Sequence, residues 1–172
     1  MLDLHWIRDD LAVGARYPME LAGELARAHR VQSVVDVRLE YCDDPEVLRR
    51  HGMELLHLPT LDTTGVPIEQ LDTGVVWVRE RLTRGHRVFI HCEHGIGRSA
   101  LVGLCVLVDS GHPPLDALRL MKIRRPVVSL SEAQQVRYVE WCARWSTAHR
   151  PKWGLPSVED VRDIAWSKLG AR

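Results

Sequence analysis

The stretch His91-Cys92-Glu93-His94-Gly95-Ile96-Gly97-Arg98-Ser99 is flanked by two apolar runs of different length. The run before it, residues 87–90, is short and rich in strand-forming residues, which predicts a buried strand. The run after it, residues 100–108, is apolar nearly all round and ends at Ser110-Gly111, as a buried helix does. The nine residues therefore form a loop between the end of a strand and the N-terminus of a helix.

A loop in this position is suited to bind an anion. The first N–H groups of a helix lack partners within the helix, and the helix dipole is positive at that end. Gly95 and Gly97 leave room for the backbone to curl around the ligand. Arg98 can present its planar fork to two phosphoryl oxygens. The predicted phosphate-binding residues are Glu93, His94, Gly95, Ile96, Gly97 and Arg98, and we assign no chemistry to the side chains of Glu93, His94 and Ile96.

Cys92 faces the same positive field, which favours the nucleophilic thiolate form of its side chain. Attack on phosphorus would give a phosphocysteine and divide hydrolysis into two easier displacements. Ser99 is placed to hydrogen-bond the departing thiolate.

Two other interpretations of Cys92 fit less well. A cysteine that is only a buried hydrophobe does not explain the glycines and Arg98 that follow it. A structural metal site would need a second pair of ligands, which the chain lacks.

These residues resemble the H-C-x5-R-S/T signature of the cysteine-dependent protein tyrosine phosphatase superfamily, with His91 as a supporting residue. The resemblance implies a phosphomonoesterase that needs no metal or organic cofactor. Because the chain is short and has no Trp-Pro-Asp loop, it is most similar to the compact dual-specificity group. Residues 55–100 also resemble the phosphatidylglycerophosphate phosphatase branch, through the loop at 61–67 and Gly74-Val75.

Ester hydrolysis also requires a proton donor for the leaving group, and Asp62 is the candidate general acid. It lies in a turn-rich loop, Thr60 to Pro67, and precedes Cys92 by 30 residues. In dual-specificity phosphatases, which the chain resembles, the acid lies on such a loop at about this distance. Asp72 is a weaker alternative because it falls inside a predicted helix.

Five further residues are candidates for supporting roles. Asp36, at the end of an apolar strand, could hydrogen-bond the phosphate loop, and so could Arg38. Gln134 or Gln135 could position the attacking water, as a glutamine does in tyrosine-specific relatives. The resemblance also makes Cys42 a candidate disulfide partner that would protect Cys92 from oxidation.

The order of predicted elements indicates an α/β fold. An opening hairpin at 2–13 precedes a helix at 18–30 and a strand at 31–37, and further strands at 53–58 and 87–90 alternate with helices. We predict a central, mostly parallel sheet flanked by helices, as in dual-specificity phosphatases, with a site at the carboxyl end of a strand. Residues 1–150 form the catalytic domain. Residues 151–172 form a helical extension capped by Ser157, with an apolar face that includes Leu169.

The composition and charge of the chain limit the classes of partner that we expect it to bind. The 172 residues carry 23 basic and 23 acidic side chains, so the net charge of zero argues against nucleic acid as a partner. The first residues lack a basic segment and a long apolar span, and we expect a cytoplasmic location. The six tryptophans are more simply packing residues, although Trp153 and Trp166 leave peripheral membrane binding open.

The predicted substrate is a phosphorylated protein or a small phosphomonoester, and a simple lipid phosphate is the alternative. Glu93 would repel a second phosphate, which argues against phosphoinositides. Two rival functions remain: a non-catalytic phosphate-binding module, and a thiol enzyme of the rhodanese or arsenate-reductase kind. The joint presence of Cys92, Arg98 and Asp62 favours ester hydrolysis over both.

Overall fold

A computed structural model describes residues 1–169. Its five-stranded sheet has the strand order β1-β2-β5-β3-β4. The strands are β1 (Leu4–Arg8), β2 (Leu11–Ala15), β3 (Val31–Arg38), β4 (Glu54–Thr60) and β5 (Arg87–Cys92). Only the β1–β2 pair is antiparallel, so the predicted mostly parallel sheet is confirmed within the described part of the chain.

Seven α-helices flank this sheet in the described residues. They are α1 (Ala22–Arg27), α2 (Pro45–Arg50), α3 (Ile68–Thr83), α4 (Arg98–Asp109), α5 (Pro114–Arg124), α6 (Glu132–His149) and α7 (Val158–Ala165). Helix α4 is buried from Arg98 to Val108, as its apolar sequence predicts. It forms the centre of the main hydrophobic core, between the sheet and the helices α3, α5 and α6.

Strand β5 lies in the middle of the sheet, and its length positions the site. Residues 87–90 were predicted as the strand, but pairing with β2 continues as far as Ala15 opposite Cys92. Helix α4 also begins earlier than predicted, at Arg98 instead of residue 100. Cys92 is therefore the last residue of the central strand, and Arg98 and Ser99 occupy the first turn of the buried helix.

Two of the predicted helices are shorter in the structure. The helix expected at 18–30 is a single 3-10 turn, Met19–Leu21, followed by α1. It ends early because Arg30 adopts a left-handed conformation with φ of 56°, which turns the chain into β3. Helix α7 starts with a capping box at Ser157, as expected, but ends at Ala165 and leaves Leu169 outside it.

Helix α7 packs against α5 and α6 and adds Val161 and Ala165 to the main core. The predicted extension therefore lies on the rest of the fold. Its last residues, 170–172, fall outside the described part of the chain, and the boundary near 150 stays a prediction. Within residues 1–169, no helix combines the length and the apolar character that crossing a membrane requires.

Candidate active site

The predicted nucleophile lies at the bottom of a cleft at the carboxyl end of β5. The Cys92 side chain is buried, with 3% of its surface exposed, and its Sγ atom lies 3.2 Å from Oγ of Ser99. The Ser99 hydroxyl is also 3.4 Å from the carbonyl oxygen of Gly14 on β2. The structure therefore brings Cys92 and Ser99 together as expected, with a hydroxyl in reach of the sulfur.

Four carbonyl groups of the phosphate loop accept hydrogen bonds from the surrounding protein. The Glu93 carbonyl accepts a hydrogen bond from the N–H of Arg16, and the Ile96 carbonyl accepts one from the N–H of Ser129. Arg125 donates to the carbonyls of His94 and Gly95, at 3.3 and 2.7 Å. In a trans peptide the carbonyl and the following N–H point in opposite directions, and the described chain has no cis peptides. In each of these peptides the N–H group therefore points away from the group that binds the carbonyl. This orientation suits the binding of an anion inside the loop.

Arg125 is a buried cation directly behind this loop. Asp3 at the start of the chain holds its guanidinium through two hydrogen bonds of 2.6 and 2.9 Å, and Nδ1 of His5 lies 2.6 Å from Nη1. Hydrogen bonding to Arg125 lowers the pKa of Asp3, so the carboxylate is ionised at neutral pH. Arg125 was not among the candidate residues from the sequence. Its neighbours Lys122 and Arg124 are also basic, so the local sequence gave no signal that distinguishes it.

The two loop glycines are needed where the loop is most crowded. Gly95 has a φ of 65°, and a Cβ atom there would meet the backbone of Gly14 and the guanidinium of Arg125. A Cβ atom on Gly97 would meet the side-chain amide of Gln134. Both glycines therefore allow close approach of neighbouring protein groups, and their predicted role in curling around a ligand stays a prediction.

Arg98 is fully buried and its guanidinium is held from one side. Its Nη1 and Nη2 atoms each donate to a carboxylate oxygen of Glu40 at 2.8 Å, and Nη1 also donates to the Thr60 carbonyl at 2.9 Å. Its Nε atom has no hydrogen-bond acceptor, although Oδ1 of Asp62 lies 3.1 Å away. The Nε–H and the second hydrogen of Nη2 are therefore the donors left for phosphoryl oxygens. Glu40 was missed because it lies in an irregular loop 58 residues before Arg98.

Glu40 and Arg98 are both charged at physiological pH, and their contacts explain why. The hydrogen bond from Arg98 lowers the pKa of Glu40 to about 2, so Glu40 is a carboxylate at any physiological pH. Burial alone would lower the pKa of Arg98, but Glu40, Cys92 and Asp62 outweigh it and raise the pKa. Arg98 is therefore a permanent cation beside the sulfur.

Asp62 lies on the loop between β4 and α3, at the edge of the cleft that contains Cys92. Two residues at the start of α6 hold this loop. The Ser131 hydroxyl donates to the Thr63 carbonyl at 2.6 Å, and the Gln134 amide donates to the Thr64 carbonyl at 3.3 Å. The Asp62 side chain itself stays 54% exposed. The predicted acid is thus beside the cleft and open to solvent.

The other candidates from the sequence lie in different surroundings. Asp72 accepts a hydrogen bond from Trp141 Nε1 at 3.0 Å and pairs with Arg144, so its contacts are on the α3–α6 side. Gln135 donates to the Leu130 carbonyl and does not line the cleft. Gln134 does line the cleft, between the phosphate loop and the Asp62 loop. Its predicted role in positioning water stays a prediction.

A buried polar cluster lies behind His91. Nε2 of His91 is 2.9 Å from Asp43, which also accepts a hydrogen bond from the Tyr17 hydroxyl at 2.9 Å. Arg38 links Asp43 to Asp36 through hydrogen bonds of 2.7 to 2.9 Å. Burial raises the pKa of Asp43, but its bonds to His91 and Tyr17 and the charge of Arg38 lower it overall.

The prediction that Asp36 directly hydrogen-bonds the phosphate loop needs correction. Its carboxylate binds Arg38 and the backbone N–H of Asp43, and Asp43 in turn contacts His91. Asp36 therefore supports the loop indirectly, through Asp43 and His91. Asp36, Asp43 and His91 also lie close enough together to share a metal ion, but Arg38 already pairs with both carboxylates.

Neither Glu93 nor Cys42 lines the cleft. The Glu93 carboxylate pairs with Arg16 and lies 3.7 Å from Arg38, so its charge is compensated. The argument that Glu93 would repel a second phosphate is weaker for this reason. All four cysteines are free thiols, with Cys42 exposed and Cys92 buried. The proposed disulfide between them stays a prediction.

The cleft itself has a volume of about 290 Å³. Its lining residues come from the phosphate loop, the Asp62 loop, the segment before α6 and the end of α7. They are Asp62, Thr63, Cys92, His94, Ile96, Gly97, Ser129, Leu130, Ser131, Gln134 and Trp166. Trp166 was not expected here, because its sequence gave no sign that α7 returns to the phosphate loop.

The family model for the dual specificity phosphatase catalytic domain matches residues 19–143 of the chain. The chain belongs to this family. Curated relatives of the chain include the human "Phosphatidylglycerophosphatase and protein-tyrosine phosphatase 1", 30% identical over 128 residues. That match covers 70% of this chain and 64% of the human protein. The mouse protein of the same name is 27% identical, over 76% of this chain and 71% of its own.

Solved structures share the fold of this chain. The crystal structure of Tk-PTP in its active form has a TM-score of 0.76 and 29% identity, covering 83% of this chain and 97% of that one. The crystal structure of PTPMT1 has a TM-score of 0.79 and 23% identity, covering 86% and 98%. The resemblance read from the sequence is therefore confirmed, and so is the phosphatase fold.

Proposed function

We propose that this dual specificity phosphatase hydrolyses phosphomonoesters through a phosphocysteine, with phosphorylated tyrosine or other phosphorylated protein residues as its substrates. One observation carries the proposal. The sulfur of Cys92, the hydroxyl of Ser99 and the unsatisfied Nε–H of Arg98 meet at the N-terminus of α4, with Asp62 beside them. A nucleophile, an oxyanion cradle and a proton donor are the three parts that this reaction needs.

In the first step, the Cys92 thiolate attacks phosphorus and forms the S–P bond. The P–O bond to the leaving group breaks, and the leaving oxygen takes the bonding electrons and a proton from Asp62. The loop N–H groups and Arg98 bind the phosphoryl oxygens as charge redistributes. Asp62 lies 3.1 Å from Arg98 Nε, and a phosphoryl oxygen bound there would bring the leaving group to the carboxyl group.

In the second step, a water molecule attacks phosphorus and the S–P bond breaks. The electrons of that bond return to Cys92 as thiolate, and Asp62 takes the proton from the water. Ser99 donates its hydroxyl to the departing sulfur, from which it is 3.2 Å distant. Phosphate then leaves, and the protonated Asp62 is ready for the next cycle.

A lipid phosphate of the phosphatidylglycerophosphate type is the second candidate substrate. The curated human relative is named for both activities, and it shares with this chain the region of the Asp62 loop. The paired state of Glu93 removes one electrostatic objection to a lipid headgroup. A non-catalytic phosphate-binding role is the third candidate. The cytoplasmic location expected from the sequence stays a prediction.

Side-by-side phosphate release from three substrates tests the proposal: a phosphotyrosine peptide, a phosphoserine peptide and phosphatidylglycerophosphate in micelles. Cys92→Ser is the blank, because the hydroxyl is a far weaker nucleophile than the thiolate. Preference for the peptides supports a protein phosphatase, and preference for the lipid supports the second candidate. If the three substrates bind but none is hydrolysed, the site only binds phosphate.

A chelator provides a further check. We expect activity to survive the chelator and to be blocked by vanadate, because the reacting groups are all side chains of this chain. Dependence on an added metal ion would contradict the phosphocysteine route.

A further inference from the structure

Trp166 lies directly after helix α7, 23 residues beyond the end of the family match at residue 143. Its indole nevertheless lines the same cleft as Cys92, and 51% of its surface is exposed. A large aromatic side chain normally buries most of its apolar surface on folding, so the exposed half of this indole is available to a ligand. Nothing in the family match accounts for this residue.

Trp166 is held in place by its own hydrogen bond and by a neighbouring cation. The indole Nε1–H donates to the carbonyl of Leu130 at 3.0 Å. The guanidinium carbon of Arg162 lies 5.6 Å from the ring centroid, within cation–π range. The indole is therefore fixed at both its polar edge and one face, as a side chain that positions a ligand needs to be.

The segment around Leu130 is in turn fixed to the phosphate loop and to α7. Buried Lys122 donates to the carbonyl of Val128, two residues before Leu130, at 2.9 Å. It also donates to the carbonyl of Ala165, the residue before Trp166, at 3.1 Å. The N–H of Ser129 donates to the carbonyl of Ile96 on the phosphate loop at 3.1 Å. A continuous set of hydrogen bonds thus links the end of α7 with the loop that carries the nucleophile.

The cleft wall near Trp166 offers little to a charged or strongly polar group. Most of the exposed lining surface is apolar, with contributions from exposed Ile96 and buried Leu130, although the polar residues Thr63, His94, Ser129, Ser131 and Gln134 also line the cleft. Among the described residues, Asp62 is the only acidic side chain that lines it. Arg98 and the loop N–H groups serve the phosphoryl group. What lies beyond the ester oxygen therefore meets a flat indole and aliphatic carbon, and a planar ring is the group that stacks best on an indole.

Resting on the proposed function, we infer that Trp166 is a specificity-determining residue that contacts the leaving group and selects aryl phosphomonoesters, such as phosphotyrosine, over polar alkyl ones. The C-terminal segment thereby completes the substrate pocket that the family domain begins. Asp62 and Cys92 perform the chemistry on both aryl and alkyl esters. Trp166 acts by binding the ring of the leaving group.

The test measures kcat/KM of the full chain with phenyl phosphate, hexyl phosphate and glycerol 3-phosphate. Trp166→Ala should lower kcat/KM about tenfold for phenyl phosphate, mainly through KM, and about twofold or less for glycerol 3-phosphate. Comparing each variant with the wild type on the same ester cancels the different leaving-group reactivities. Trp166→Phe keeps a ring and should recover most of the loss.

Trp77→Ala is the matched control, because Trp77 also has an arginine over its ring, Arg81 at 4.0 Å, but lies on α3 away from the cleft. It should leave the ratio of the substrates unchanged. Equal losses by Trp166→Ala on phenyl phosphate and glycerol 3-phosphate would overturn the inference and indicate a structural role. A loss on hexyl phosphate as large as that on phenyl phosphate would overturn the selection for a ring.

A binding measurement separates this inference from the proposed function. In the Cys92→Ser background, calorimetry compares the Kd of phenyl phosphate with and without Trp166→Ala. A weakening of about tenfold supports the aromatic contact even if the wild type hydrolyses none of the esters. An unchanged Kd overturns the contact even if the wild type is an active phosphatase.

Discussion

The cleft has a floor and a mouth that are built in different ways. The floor, defined by His91, Cys92, Arg98 and Ser99, is buried on the central strand and the first turn of α4. The mouth is defined by Asp62 and Trp166, which line the cleft, and by Glu40, which does not line it but holds Arg98. Their side chains are 54%, 51% and 44% exposed. Floor residues are fixed by the core and by buried hydrogen bonds. Mouth residues come from three separate segments, each held by a few contacts.

This difference separates two kinds of substitution. A change in the floor should affect the chemistry on every substrate, because the phosphoryl group is common to all of them. A change in the mouth should affect protonation, orientation or selection, and its size should depend on the leaving group. The predictions below run from the largest expected effect to the smallest.

Arg98→Lys should give the largest loss, roughly 10³-fold in kcat/KM on all esters. Lysine keeps the charge but cannot bind Glu40 and a phosphoryl group at the same time through a planar fork. Steady-state kinetics on phenyl phosphate and glycerol 3-phosphate measures the effect. Arg119→Lys, in an exposed ion pair of α5, is the control and should be silent. A loss confined to one ester would contradict a floor role.

Asp62→Asn should lower kcat about 10²-fold on alkyl esters and less on phenyl phosphate, because phenoxide leaves more easily without a proton. Asp72→Asn, the alternative from the sequence, should retain kcat even though it alters the hydrogen bond from Trp141. The decisive measurement is the comparison between the loss of kcat on alkyl esters and the loss of kcat on phenyl phosphate. Equal losses on both kinds of ester, or a larger loss with Asp72→Asn, would remove Asp62 as the acid.

Glu40→Gln should cost about tenfold in kcat/KM, since it turns a charge-assisted, two-pronged pair with Arg98 into a weaker one. Glu46→Gln, in an exposed ion pair with Arg49, is the matched control. If Glu40→Gln instead increases kcat/KM, Glu40 competes with substrate for Arg98 and does not position it.

The same variant has a pH signature. The pKa of Glu40 in the folded chain is about 2, below the ordinary value of 4.5, so its contribution to stability is present above pH 4.5 and is lost as the pH falls through about 2. The Tm difference between the wild type and Glu40→Gln should be constant above about pH 4.5 and shrink below it. Thermal melts across this range measure it, and a difference that persists at the acid end would contradict the pairing.

Tyr17→Phe should have the smallest effect on activity and lower the free energy of unfolding by about 1 kcal/mol. It removes one of the two hydrogen bonds through which Tyr17 and His91 hold Asp43, while Arg38 still pairs with that carboxylate. Denaturant unfolding measures the change, with the exposed Tyr41→Phe as control. A loss of activity greater than that of Glu40→Gln would show that the cluster behind His91 controls the floor directly.

The floor could be predicted from sequence because its residues are close together in the chain and their spacing is dictated by one strand, one turn and one helix. Cys92, Arg98 and Ser99 lie within eight consecutive residues, and Gly95 is required by a left-handed turn. Asp62 could be inferred from its loop and from the resemblance to known phosphatases. The alternation of apolar runs was likewise enough to predict the order of strands and helices.

The mouth and the supports could not be predicted in the same way. Glu40 and Arg125 reach the site across 58 and 30 residues of chain, and only the folded sheet and α5 bring them there. Asp43, which contacts His91 in place of Asp36, lies in an irregular loop without periodicity. Trp166 depends on how α7 docks, which is decided by buried contacts of Val161, Ala165 and Lys122 and leaves no local pattern.

The central claim is that hydrolysis passes through a phosphocysteine at the floor of the cleft. Rapid acid quench of Asp62→Asn during turnover of a phosphotyrosine peptide, followed by peptide mass analysis, tests it most directly, because removal of the base that activates water should prolong the intermediate. We expect one phosphoryl group on the peptide that contains Cys92 and none in Cys92→Ser. Turnover without a phosphorylated enzyme, or a phosphoryl group on another residue, would contradict the account.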